Sequence, residues 1–289
     1  MALGFAAVTD ISSAEDRMKN LGVVYAAFGL GLVLGPIFGS IGVRFSLRGP
    51  LWLAVVFSIV NFLLIYYLFC ETRTGSKEKK QGASGLIASY RHLCRYRGVK
   101  GLLLAELFIL LGLTSMTVMW PYYAAEHFYW DASKIAYSLV VAGMAISGVQ
   151  LTIAPWAHRL WGDVKSLLLS GVFFIVSTVL FLWVQHPINW YLLSLAVVCY
   201  ALGWVGVSAG QTILSFRVPN DHQGELQGFI SALYSLSLII TPLLMTHIFK
   251  YSIHHNLLWK ESNIFVVAGL FCFLGFIIYV IILPIIKED

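Results

Sequence analysis

Along this chain, apolar stretches of membrane-spanning length alternate with short polar gaps. A helix that crosses about 30 Å of hydrocarbon at 1.5 Å per residue needs about 20 residues. Stretches of that kind fall at about 20–42, 50–70, 101–124, 133–156, 166–184, 190–214, 226–249 and 263–284, and the tail of one more lies at 1–9. The pattern predicts an all-α integral membrane protein with about eight transmembrane helices plus the end of another. Between Glu71 and Lys100 hydrophobicity collapses and Gly, Ser and Lys accumulate, which predicts a linker with a surface amphipathic piece at Leu86–Tyr96. The predicted organisation is therefore helices in 1–70, a linker at 71–100 and six helices in 101–289.

Composition agrees. With 59% hydrophobic residues, 11% charged residues and a mean hydropathy of +0.81, the chain is too apolar for a soluble domain. The net charge of +5 does not call for nucleic acid, because the cations sit in the gaps between spans. Of 19 Lys and Arg residues, fourteen fall on one side, among them Arg73, Lys77, Lys79, Lys80 and Lys287; the other side has Arg44, Arg48, Lys134, Lys250 and Lys260. The richer side, with the C-terminus, is expected to be cytoplasmic. Cys70, Cys94, Cys199 and Cys272 have neither CxxC nor paired spacing and read as packing residues. The first nine residues have no basic leader or cleavage site and are not expected to be a signal peptide.

One span carries a denser signal. Gly29, Gly31, Gly35 and Gly39, with Pro36, predict a bent helix whose small residues admit a neighbouring backbone. The fourteen-residue interval from Gly22 to Pro36 recurs from Gly228 to Pro242 at an offset of 206, and each copy follows a charged turn. Such internal similarity suggests a transporter of two related halves. At that offset, the equivalent of Gly101 would precede residue 1 by 105 positions, so three helices and most of a fourth are expected to be missing from the first half.

GLGLVLGPIFGS at 29–40 resembles the antiporter motif of the major facilitator superfamily, with Gly31, Gly35, Pro36 and Gly39 in place and Ser40 where a second glycine is often found. Three further stretches are similar to the tetracycline-efflux branch of its twelve-helix drug:proton antiporters. They are TDISSAEDRMKNLG at 9–22, EHFYWDASKIAYSL at 126–139 and VPNDHQGELQGFISALYSLSLIITPLL at 218–244. The resemblance implies an incomplete major facilitator fold in a bacterial inner membrane, exporting an amphipathic drug by alternating access and driven by the proton gradient. It implies no cofactor, metal or nucleotide. A loose counterpart of the family's loop motif is APWAHRLWGD at 154–163, where Arg159, Gly162 and Asp163 remain and His158 replaces an acid.

Candidate residues each carry two readings. Glu106, the only carboxylate inside an apolar run, is either a proton carrier or an acid solvated or salt-bridged near the membrane surface. Arg159, Asp163, Arg217 and Glu225 are further candidates for proton or gate roles; Glu225 is either a partner of Arg217 or an ordinary first-turn acid. Asn61, Gln150 and Gln211 could line a cavity or make interhelical bonds, and Trp120 could line a cavity or sit in an interfacial belt. Asp131 reads as a helix N-cap ahead of a substrate ligand. His254 and His255 have no acids at metal spacing, and no HExxH, P-loop or GxSxG occurs, so an enzyme is not expected. The expected partners are lipid, protons and a small amphipathic drug. A second function class is a non-transporting remnant, or one part of a split carrier whose first helices come from a separate chain. A sugar or metabolite carrier of the same superfamily is disfavoured by the glycine and proline motif.

Overall fold

A computed structural model of the chain describes residues 30, 31, 34, 35, 37–39, 41, 42, 45, 46, 48–68, 86–184, 188–219, 222–255 and 262–287. All regular structure among them is helical. In chain order the elements are α1 (Gly49–Leu68), α2 (Leu86–Leu93), α3 (Val99–Phe128), α4 (Ala132–Gly148), a π-helical turn at Val149–Ile153, α5 (Ala154–Trp183), α6 (Trp190–Gly203), α7 (Val205–Ser215), α8 (Gln223–His254) and α9 (Asn263–Lys287). Six stretches are long and apolar enough to cross a membrane. One of them, Ala132–Trp183, has 52 residues, about 78 Å of helix and more than twice the thickness of the hydrocarbon. It breaks at Gly162, whose φ of 72° and ψ of 171° are open only to glycine. The stretch thus supplies two crossings, where the hydropathy pattern placed spans at 133–156 and 166–184.

By contacts the chain divides into two units: Leu3–Lys80 with Trp130–Ser147, and Gln81–Tyr129 with Gly148–Asp289. In the first unit, α1 has a hydropathy of 2.0 and none of that window is buried. Ahead of α1, Ser46 N–H donates to Gly42 O at 3.2 Å and Gly49 N–H to Ser46 O at 2.8 Å. Asp131 caps α4 as expected, its Oδ1 accepting from Lys134 N–H at 3.0 Å.

In the second unit, α3 is the central helix, with 72% of its most apolar window buried. It packs most extensively on α9 and then on α8, while α5 packs on α6, α7 and α9. Small residues set the closest approach. A Cβ at Gly112 of α3 would stand 2.7 Å from the Ala268 carbonyl oxygen of α9, and one at Gly275 of α9 would stand 2.9 Å from the Ala105 carbonyl oxygen of α3. Without a hydrophobic force between helices in lipid, such contacts and interhelical hydrogen bonds hold a bundle together. Those bonds are present: Thr114 of α3 meets Thr241 of α8 at 2.9 Å, and Tyr200 of α6 donates to the Leu113 carbonyl at 3.0 Å. Outward positions such as Leu243, Val280 and Leu195 are apolar and exposed, as a lipid-facing surface requires.

Candidate functional site

Three clusters of polar side chains in the second unit bring sequence candidates together. The first is inside the bundle. Glu106, one turn into the apolar part of α3, is completely buried. Tyr279 of α9 donates its hydroxyl to Glu106 Oε2 at 3.1 Å. Gly210 of α7 completes the site, because a Cβ there would lie 2.5 Å from the Tyr279 hydroxyl and 2.9 Å from Oε2. Three helices therefore close around one carboxyl, and its Oε1 has no hydrogen-bond partner among the described residues. The partner of Glu106 is a phenol rather than a cation, so a charge in this dry site would be costly.

The second gathering surrounds the π-turn. A π-turn shifts the register of the helix that contains it and is common at functional positions. Here it carries Gln150, whose Nε2 donates to the Trp204 carbonyl at 2.9 Å. Ser208 of α7 is 3.4 Å from Gln150 Oε1 and 3.5 Å from His158 Nε2, and its hydroxyl also donates to the Val205 carbonyl at 2.9 Å. His158 Nδ1 in turn lies 2.6 Å from Asp163 Oδ1, across the break at Gly162. The histidine that stands in place of an acid in the 154–163 stretch thus straps the turn to the acid that remains. Arg159 is exposed on the same turn.

The third lies at the start of α8. His92, in the last turn of α2, places Nδ1 2.7 Å from Glu225 Oε2, and His222 Nδ1 is 3.7 Å from the same oxygen. Gln223 closes the α7–α8 connection by donating to the Ser215 and Val218 carbonyls at 2.7 and 2.6 Å.

The remaining sequence candidates are dispersed. Trp120 is buried, its ring 5.6 Å from Phe181 and 6.1 Å from Tyr123, so it belongs to an aromatic core at the end of α3. Asn61 is exposed on α1, and Gln211 is half-buried on α7. Arg217 is half-buried, and the ion-pair contacts to Glu225 among the described residues come from the two histidines. Gly31, Gly35 and Gly39 border an apolar cavity of about 370 Å³ with Phe38 and α1 residues Pro50, Leu53, Ala54 and Phe57; a Cβ at any of the three glycines would meet nothing within 4 Å. Pro36 lies outside the described residues, as do Cys70 and most of the first copy of the repeat. Sequence reading did not anticipate the roles of Tyr279, Gly210, Ser208, His92 or His222. Only the place of Glu106 inside an apolar run pointed towards the first site.

Spans of this length and hydropathy, packed through small residues and interhelical hydrogen bonds, define a multi-pass helical membrane protein. The sequence profile described as Major Facilitator Superfamily matches residues 1–242 and 102–289, and the chain belongs to that superfamily. It is 28% identical over 262 residues to the tetracycline resistance protein, class C, of Escherichia coli, an alignment that covers 87% of this chain and 63% of that protein. It is 28% identical over 268 residues to the class H protein of Pasteurella multocida, covering 89% of this chain and 65% of that protein. The chain thus spans less than two thirds of the length of these relatives. In fold it matches the human organic anion transporter MFSD10 (TETRAN) with a TM-score of 0.74 at 18% identity, over 96% of this chain and 67% of that one.

Proposed function

We propose that the chain serves proton-coupled efflux of tetracycline-like or other amphipathic drugs by alternating access, in a bacterial inner membrane with its C-terminus in the cytoplasm. Residues 1–70 then belong to the N-terminal bundle, 71–100 to the cytoplasmic linker and 101–289 to the C-terminal six-helix bundle. The observation that carries the reading is the fully buried Glu106 carboxyl, held by Tyr279 where α3, α7 and α9 meet. An acid placed in a membrane interior at such expense is a functional group by default, and taking up or losing a proton there changes how well three helices pack. Similarity to tetracycline resistance proteins supports the substrate class. Gln150 and Ser208 at the π-turn supply hydrogen-bonding groups of the kind a polar drug substituent needs.

The test is tetracycline accumulation in a susceptible bacterium that expresses the chain, with and without a protonophore, and with and without a separate segment supplying further helices. The reading expects lower accumulation that the protonophore abolishes and that Glu106→Gln abolishes as well. Full efflux by Glu106→Gln would remove the carboxyl from the mechanism. Efflux only in the presence of the added segment would make this chain one part of a larger carrier.

A further inference from the structure

At the start of α8, two imidazoles and a carboxylate converge from parts of the chain 133 residues apart. His92 lies in the last turn of α2, His222 stands at the N-cap of α8, and Glu225 lies in the first turn of that helix. The three ligand atoms all lie within 4.8 Å of one another. Both Nδ1 atoms address the same oxygen, Glu225 Oε2, at 2.7 and 3.7 Å. The imidazole rings are 4.5 Å apart and tilted by 67°, so they approach the carboxylate from different directions instead of stacking. A hydrogen bond between one histidine and one acid explains the first contact. The i,i+3 spacing of His222 and Glu225 brings a second imidazole to the same oxygen, so three donors from two helices meet in one place.

We propose that His92, His222 and Glu225 form a site for a divalent transition metal of the zinc class, which clasps α2 to the start of α8. Two imidazole nitrogens and a carboxylate are a donor set suited to Zn²⁺, whose ligand atoms sit about 2.0–2.2 Å from the ion. Tetrahedral coordination at that radius separates the ligands by about 3.3–3.6 Å; the 3.7 Å pair stands near that separation, and the 2.7 Å hydrogen-bonded pair has to open by under about 1 Å to admit the ion. Side-chain exposures of 32% for His92, 34% for His222 and 21% for Glu225 put the cluster within reach of solvent. The site is therefore exchangeable rather than closed. The carboxylate charge of Glu225 favours the cation. The supporting contact is already built, since Tyr90 of α2 stacks on Phe229 of α8 with ring centroids 5.8 Å apart. Metal binding would fasten the segment that precedes α3 to the first turn of α8, without touching Glu106 or the π-turn.

The experiment uses the full chain purified in detergent, stripped with a chelator and titrated with Zn²⁺ against a chromophoric competitor. Thermal unfolding is followed in parallel. One Zn²⁺ per chain is expected, with a rise in Tm on binding. His92→Ala and His222→Ala are each expected to weaken binding by about 100-fold or more, at least the loss seen when groups around a metal are removed. Each should also lose the Tm rise. His254→Ala, in the other histidine pair, is expected to bind as the unaltered chain does. Should either ligand variant prove unstable, Co²⁺ in the unaltered chain gives a second readout. Tetrahedral ligand-field absorption that bleaches on Zn²⁺ addition supports the site, and its absence overturns it. The proposal is also overturned by less than one bound Zn²⁺ per chain at saturation, or by binding that survives in both His92→Ala and His222→Ala.

Discussion

Removing the Tyr279 hydroxyl isolates the Glu106 carboxyl. In the native bundle this phenol is the hydrogen-bond donor to Oε2, at 3.1 Å, and Oε1 already lacks a partner among the described residues. Tyr279→Phe therefore leaves a completely buried carboxyl with neither oxygen satisfied by them. Interhelical hydrogen bonds in membrane bundles are worth about 0.6 kcal/mol on average and reach about 1.7 kcal/mol, while orphaning a buried polar group costs about 1–3 kcal/mol. The expected loss for Tyr279→Phe is about 1.5 kcal/mol, close to a tenfold shift in the folded-to-unfolded ratio. Glu106→Met alone strands the phenol hydroxyl and should cost about 1 kcal/mol. Combining the two replaces both partners by apolar groups of similar shape and should cost less than the sum, with a coupling of about 1 kcal/mol. Reversible unfolding of the full chain in mixed micelles measures all four corners of this cycle. A Tyr279→Phe variant as stable as the native chain, or strictly additive losses, would refute the idea that the pair stabilises the bundle.

Other expectations follow from the glycines. Gly112→Ala should destabilise by about 1–3 kcal/mol, because its methyl would push against the Ala268 carbonyl and Cys272 across the α3–α9 seam. Gly35→Ala should change stability by less than about 0.5 kcal/mol in the same unfolding assay, since nothing lies within 4 Å of the new methyl. Gly162→Ala should cost about 1–3 kcal/mol, because alanine is strained at a φ of 72° and ψ of 171°. Its effect should appear as easier proteolysis at the break within α5, beside Gly162, in membrane vesicles.

Much of the architecture was legible in the hydropathy pattern because a span is defined by length and composition alone, and both are local. Spans read at 50–70, 190–214 and 263–284 fall within a few residues of helical stretches at Gly49–Leu68, Trp190–Ser215 and Asn263–Lys287. The amphipathic piece in the linker appears as α2, shorter by three residues at its C-terminal end. Rotation about each helix axis was not legible. These helices are apolar all round, so no stripe shows which face meets which neighbour. The pairing of Glu106 with Tyr279, 173 residues away, therefore could not be read, nor could the convergence of His92 and Glu225. The same lack of directional signal left Trp120 suspended between cavity and belt, whereas it packs into an aromatic core. At Gly31, Gly35 and Gly39 the sequence spoke of close packing; among the described residues these positions open onto a groove.

If the buried Glu106 carboxyl couples protons to drug movement, as proposed, transport and coupling depend on it. That dependence is tested most directly by reconstituting the purified chain in proteoliposomes and measuring radiolabelled tetracycline uptake under an imposed pH gradient, beside the Glu106→Gln variant. Gradient-driven accumulation is expected to collapse with a protonophore and to be lost in Glu106→Gln, while that variant still binds the drug. Gradient-driven accumulation at native rates in Glu106→Gln would contradict that dependence.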